Sequence, residues 1–187
     1  MLGLRFKRDR YSNVPFIQVD KVVHHYTIEG ADDAPALVFA NSLGSDHRIW
    51  DPVLPHLREE FRIIRYDQRG HGLSDVTPSP YSIDDLVNDL AGLLEGLKVD
   101  ESVVCGLSVG GMIAQGLAAA SIDRPTLVLC GDRDLATPPE LGAKLADAIP
   151  DAIFSLVEDA AHISCVEQPE IFSRLLINFL EEISSAS

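Results

Sequence analysis

Along the chain, short runs of apolar residues alternate with longer stretches in which apolar positions return every three or four residues. The short runs predict strands at "PFIQVD" (15–20), "HHYTIEG" (24–30), "PALVFAN" (35–41), "FRIIRYD" (61–67), "ESVVCGL" (101–107), "PTLVLCG" (125–131) and "AIFSLVE" (152–158). From the third onward they are near-continuous Val, Ile and Leu, the composition of strands covered on both faces. The longer periodic stretches predict helices over 50–60, 82–97, 109–121, 138–149 and 167–183. In "SIDDLVNDLAGLLEGL", Ser82 stands at the N-cap with acids in the first turn, and "TPPELGAKLADAI" opens on prolines, as a first turn can. Two antiparallel-looking strands followed by strand–helix repeats predict an α/β class, with a mostly parallel sheet of about seven strands flanked by helices. No internal repeat or linker interrupts the pattern, so residues 1–187 read as one domain whose final "SSAS" frays.

Composition narrows the class. Hydrophobic residues make up 46% and charged residues 24%, a soluble globular balance. A net charge of −14 repels nucleic acid and anionic membranes, so neither is an expected partner. The first residues hold no apolar run long enough for a signal peptide, and no segment approaches the ~20 apolar residues of a membrane span. Of the three cysteines, Cys105 and Cys130 each precede a glycine at the end of an apolar run, as buried residues of a reduced, cytoplasmic protein would. His24, His25, His47 and His56 lack metal-ligand spacing, so no metal is expected.

The chemistry is concentrated in "CGLSVGG". Ser108 lies in G-x-S-x-G, with Gly106 and Gly110 on either side, after a predicted strand and before a predicted helix. That context defines a strained turn that exposes a serine nucleophile, and the following helix aims its first amides at developing negative charge. A serine hydroxyl needs a histidine base held by a carboxylate. "CGDRD" ends in Asp134 after the next predicted strand, and "EDAAHIS" carries His162 after the one following. All three residues fall beyond carboxyl ends of strands, where α/β sheets collect functional groups. Asp132 and Asp159 are rival acids, the first read as a turn residue and the second as a solvated loop charge. An oxyanion hole needs two backbone N–H groups. Val109 supplies one, and Leu43, in the loop "ANSLGSDHRIW", supplies the other, with Asn41, Ser42 and Gly44 shaping the turn. His47 and Trp50, just after that loop, are candidate substrate-pocket residues, with a core role for Trp50 left open.

These residues together resemble the α/β-hydrolase superfamily. "FANSLGSDHRIWDPVLPHL", "RIIRYDQRGHGLSD", "VVCGLSVGGMIAQGLAA", "RPTLVLCGDRD" and "AAHISCVEQPEIF" are especially similar to 3-oxoadipate enol-lactonases, which act without a cofactor in the β-ketoadipate pathway of aromatic catabolism. The resemblance implies a hydrolase that cleaves a small lactone or carboxylic ester through Ser108, His162 and Asp134. It also implies a structural role for "DQRGHGLSD", so that His71 is a loop histidine.

One departure stands out. Relatives place a further strand and a helical cap between the nucleophile helix and the acid-bearing strand, and "GLAAASIDRPTLVL" has neither, the cap being absent near 120–123. An empty slot would orphan backbone groups at a cost of ~1–3 kcal/mol each. Strand 125–131 either shifts across to pair with strand 101–107, or a partner chain fills the gap as a homodimer. Loss of the cap should also uncover apolar surface. The alternative to an enzyme is a cap-less, catalytically weakened module that serves in binding or assembly.

Overall fold

A computed structural model of the chain describes residues 14–118 and 125–185. The join near 120–123 where the cap is absent, the end of the helix expected over 109–121, the N-terminal segment read for targeting signals, and Ala186 and Ser187 of the "SSAS" tail lie outside the described residues. Seven strands form: β1 (Phe16–Val19), β2 (Val22–Glu29), β3 (Ala36–Ala40), β4 (Arg62–Tyr66), β5 (Val103–Gly106), β6 (Leu127–Gly131) and β7 (Ile153–Val157). The helices are α1 (Leu54–Leu57), α2 (Ile83–Gly96), α3 (Val109–Ala118), α4 (Pro139–Asp147), α5 (Ser164–Glu167) and α6 (Pro169–Ser185).

Every predicted strand is present, and helix starts follow the sequence signals. Ser82 caps α2 through a hydrogen bond from the Asp85 N–H, while the Asp85 carboxylate accepts from the Ser82 N–H. The helix expected over 50–60 is broken instead into a 3₁₀ turn at His47–Trp50 and the single turn of α1. Pro52 and Pro55 explain this, because each removes an N–H that a continuous helix would use.

The seven strands do not make the single sheet expected. β1–β5 form a mixed sheet in the order β1-β2-β4-β3-β5, and β6 pairs in parallel with β7 in a second sheet. The direct pairing of 125–131 with 101–107 is therefore not formed. Among the described residues, β5 has no strand partner on the side away from β3, and β6 has none on the side away from β7. Side chains join the two sheets where the backbone ladder does not. Leu37 and Phe39 of β3, Val103 and Cys105 of β5, and Leu127 and Leu129 of β6 pack into one apolar cluster with Trp50 and with Phe172 and Leu176 of α6. The alternate residues Val38, Ala40, Ile64 and Val104 face the other way, against Leu86, Leu90 and Leu93 of α2 and Ile113 of α3. The period-two alternation thus splits the core into two layers, one on each face of the five-stranded sheet.

Close packing of α3 rests on missing side chains. A Cβ on Gly110 would lie 2.0 Å from the Ala40 carbonyl oxygen, and one on Gly106 would lie 2.1 Å from that of Gly110. Gly111, one residue on, has no such contact, its nearest neighbour being 3.5 Å away. Gly110→Ala should therefore lower stability by about 1–3 kcal/mol, whereas Gly111→Ala should be neutral or gain up to ~1 kcal/mol of helix propensity. Urea unfolding of the two variants checks this, and equal losses in both would contradict the close approach.

Candidate active site

Ser108 sits between the end of β5 and the start of α3 with φ at +55°, a left-handed conformation that a non-glycine residue adopts only under constraint. The turn is pinned at both ends. The Leu107 N–H donates to the Ala40 carbonyl at 3.1 Å, and the Gly110 N–H donates to the Leu107 carbonyl at 2.9 Å. The serine side chain is exposed. The N–H of Val109, the first residue of α3, has no hydrogen-bond partner among the described residues, and neither has the N–H of Leu43. The Leu43 side chain points out to solvent.

Asp134 and His162 come from the loops after β6 and β7. Their side chains meet at 2.9 Å, His162 Nδ1 to Asp134 Oδ2. Asp134 is buried, and its other contacts come from one short turn: the N–H groups of Ala136 and Thr137 donate to Oδ1 at 2.8 and 2.9 Å, and the Thr137 hydroxyl donates to Oδ2 at 2.6 Å. Burial by itself would raise this carboxyl, but the donors from Thr137, His162 and Ala136 outweigh it and hold it down to about 2. It is an anion at neutral pH, able to orient a neutral imidazole and to stabilise an imidazolium. His162 is partly exposed, and no hydrogen bond joins it to Ser108 among the described residues.

The rival acids have other work. Asp132 accepts from the Ala160 N–H at 3.2 Å, tying the β6 loop to the β7 loop, and Asp159 pairs with Arg133 on the surface. Two residues that the sequence reading missed hold the pair. Thr137 is one. Glu167 is the other, because its carboxylate accepts from the N–H groups of Ala161 and Ile163 and so brackets His162 on both sides. The D-x-x-T spacing of 134 and 137 is a local turn signal that could have revealed the first.

The loop after β3 is wired from beneath. The Asn41 side chain donates to the Tyr66 carbonyl and accepts from Trp50 Nε1, both buried. Trp50 is fully buried against Phe39, so its expected place in a substrate pocket is corrected to a core role. His47 lines an open cleft of about 390 Å³ with Asp46, Arg48, Asp67, Gly72 and Leu73, and neither Ser108 nor His162 lines it.

One group among the described residues brings metal-ligating atoms together, which sequence spacing did not suggest: His25 Nδ1, His47 Nδ1 and the Asp67 carboxylate, within 4.8 Å of one another. Both carboxylate oxygens already accept two donors each. Oδ1 takes the His47 N–H and ring, and Oδ2 takes His25 and the Leu73 N–H. Against the raising effect of burial, these donors hold Asp67 well below the usual carboxylate range. The cluster works as a clamp on the 67–75 turn.

Comparison with known proteins bears on the fold. A family model described as alpha/beta hydrolase fold matches residues 35–121. An enol-lactonase from Burkholderia xenovorans LB400 superposes with a TM-score of 0.82 at 26% identity, covering 89% of this chain and 100% of that one. The chain has the α/β-hydrolase fold. A hydrolase from Pseudomonas aeruginosa PA01 agrees nearly as well, with a TM-score of 0.81 at 25% identity over 91% of this chain and 99% of that one. In sequence, this chain is 41% identical to 3-oxoadipate enol-lactonase 1 of Acinetobacter baylyi over 87 residues, and 39% identical to enol-lactonase 2 of that organism over 97. Those segments are about half of this chain but only 32% and 36% of the two lactonases. The family model ends before β6 and the loops that carry Asp134 and His162.

The depressed Asp134 carboxyl gives a prediction with a definite sign. A folded value of about 2, below the ordinary 3.8, stabilises the fold above about pH 4, and that stabilisation is lost as pH falls through about 2. Thr137→Val removes the hydroxyl donor, so it should cost about 1–2 kcal/mol near neutral pH and progressively less from pH 4 downwards. Urea unfolding across that range reads the difference. A cost that does not vary with pH would assign Thr137 to packing alone.

Proposed function

We propose that this chain is a cofactor-free serine hydrolase of small lactones or carboxylic esters, most like the 3-oxoadipate enol-lactonases of aromatic catabolism. The observation that carries the reading is the His162–Asp134 pair at 2.9 Å, with the second ring nitrogen left open, at the strand ends where Ser108 occupies a strained, exposed turn. In the mechanism, Ser108 Oγ adds to the carbonyl carbon while His162 Nε2 takes its proton. Asp134 keeps Nδ1 protonated and faces the imidazolium. The oxyanion falls to the Leu43 and Val109 N–H groups, both without other partners among the described residues. Collapse breaks the bond to the leaving oxygen, which receives the proton from His162. Water then adds to the acyl-enzyme with His162 as base and releases the acid. A cytoplasmic setting belongs to the same reading and agrees with three free cysteines. No helix among the described residues is long and apolar enough to cross a membrane.

A second reading is favoured by the sides of β5 and β6 that have no strand partner, and by the lack of a Ser108–His162 hydrogen bond, among the described residues. In it the domain is catalytically weak and these apolar strand edges serve assembly with a second copy of the chain. Hydrolysis of p-nitrophenyl acetate by the native chain, Ser108→Ala and His162→Ala separates the two. The enzyme reading expects at least a ~10³-fold loss in each variant. Equal rates in all three, together with a sedimentation coefficient that rises with concentration, would replace it with the assembly reading. Turnover of 3-oxoadipate enol-lactone then tests the substrate, and esterase activity without lactonase activity would remove that assignment.

A further inference from the structure

The loop that carries Leu43 is fixed firmly at its ends and by little in its middle. At one end, the Asn41 side chain bonds Tyr66 and Trp50, and its carbonyl accepts from Gln68 Nε2 at 2.8 Å. At the other, the N–H and ring of His47 are held by Asp67. Between them, Ser45 closes a local turn onto the Ser42 carbonyl through its N–H and hydroxyl. Among the described residues, one hydrogen bond ties this middle to the rest of the fold: the Gly44 N–H donates to His71 Nε2 at 3.0 Å. Gly44 is at φ +74°, and no atom lies within 4 Å of where its Cβ would stand. Glycine is thus required there by backbone conformation, not by space.

The histidine is set for this role by its other nitrogen. His71 Nδ1 lies 3.1 Å from the Arg69 carbonyl, which can only accept, and Nε2 faces an amide that can only donate. The two contacts select one neutral tautomer, with the proton on Nδ1 and a lone pair on Nε2. His71 in turn rides on the 67–75 turn that Asp67 clamps through Leu73 and that Gly72 fits only because it lacks a side chain, a Cβ there falling 2.1 Å from Asp67 Oδ2.

We propose that His71 is a positioning residue for the oxyanion hole: by accepting from the Gly44 N–H it occupies that amide and turns the neighbouring Leu43 N–H towards the Ser108 turn. This rests on the serine-hydrolase reading above. The role is distinct from merely filling the loop, because it depends on an acceptor at the Nε2 position and acts on the transition state more than on substrate binding.

Steady-state hydrolysis of p-nitrophenyl acetate by the native chain and by His71→Phe, His71→Gln and His71→Asn tests it, with Ser108→Ala as control. Phenylalanine keeps the ring and removes the acceptor, and should lower kcat about 10- to 100-fold with KM within about twofold. Glutamine sets its carboxamide oxygen at a reach similar to Nε2 and should recover most of kcat. Asparagine is too short to reach Gly44 and should not. If His71→Phe fails to fold, the contrast of glutamine with asparagine decides alone. Native kcat in His71→Phe, or equal kcat in the glutamine and asparagine variants, would overturn the proposal. A native rate no higher than that of Ser108→Ala would remove the hydrolase reading and this proposal with it.

Discussion

Everything at the mouth of this fold depends on the contact of backbone with backbone where α3 starts against the ends of β3 and β5. Gly110 lies so close to the Ala40 carbonyl, and Gly106 so close to Gly110, that neither position has room for a methyl group. That approach forces the intervening residue into the left-handed region, and Ser108 is held there at φ +55°. Strain of this kind costs roughly 1–3 kcal/mol. It is offset by the layers it joins, with Ile113 of α3 and Val38 of β3 both fully buried in the same cluster. The chemical return is a serine lifted clear of the sheet, with the first free amide of a helix directly after it.

Two buried carboxylates organise the loops around that turn, and both are kept ionised by surplus hydrogen-bond donors. Asp67 spends all of its accepting capacity on structure, clamping the His47 end of one loop and the Leu73 end of another. Asp134 is supported by three donors from Ala136 and Thr137 and gives its remaining contact to His162. The same device makes one aspartate a staple and the other an orienting partner.

Most of the fold was legible because local signals and the hydrophobic period agreed. β3 reads as a doubly buried strand and is one, and Ser82 reads as a cap and is one. The helix expected at 50–60 failed where Pro52 and Pro55 outweighed the apolar period. The division into two sheets was not legible, because strand pairing is a long-range property and the apolar faces of β5 and β6 look alike whether or not a ladder joins them. Of the candidate residues named from strand ends and chain order, Asp134 and His162 are in contact, and Ser108 occupies a strained turn with no hydrogen bond to His162 among the described residues. The residues that hold them could not be named in that way. Glu167 and His71 act by accepting from backbone amides, which no local pattern announces, and Thr137 acts through its hydroxyl on Asp134, hinted at only by the D-x-x-T spacing. Trp50 stood open between pocket and core on sequence, and its buried indole N–H, which fixes Asn41, places it in the core.

The most direct test of the central claim, that this strained turn presents an activated nucleophile, is covalent. The folded chain would be treated with a fluorophosphonate, digested, and its peptides analysed by mass spectrometry. One phosphonyl group on Ser108, lost when His162 is replaced by alanine, is the predicted result. An unmodified Ser108 in the native chain, or labelling that is indifferent to His162, would contradict it.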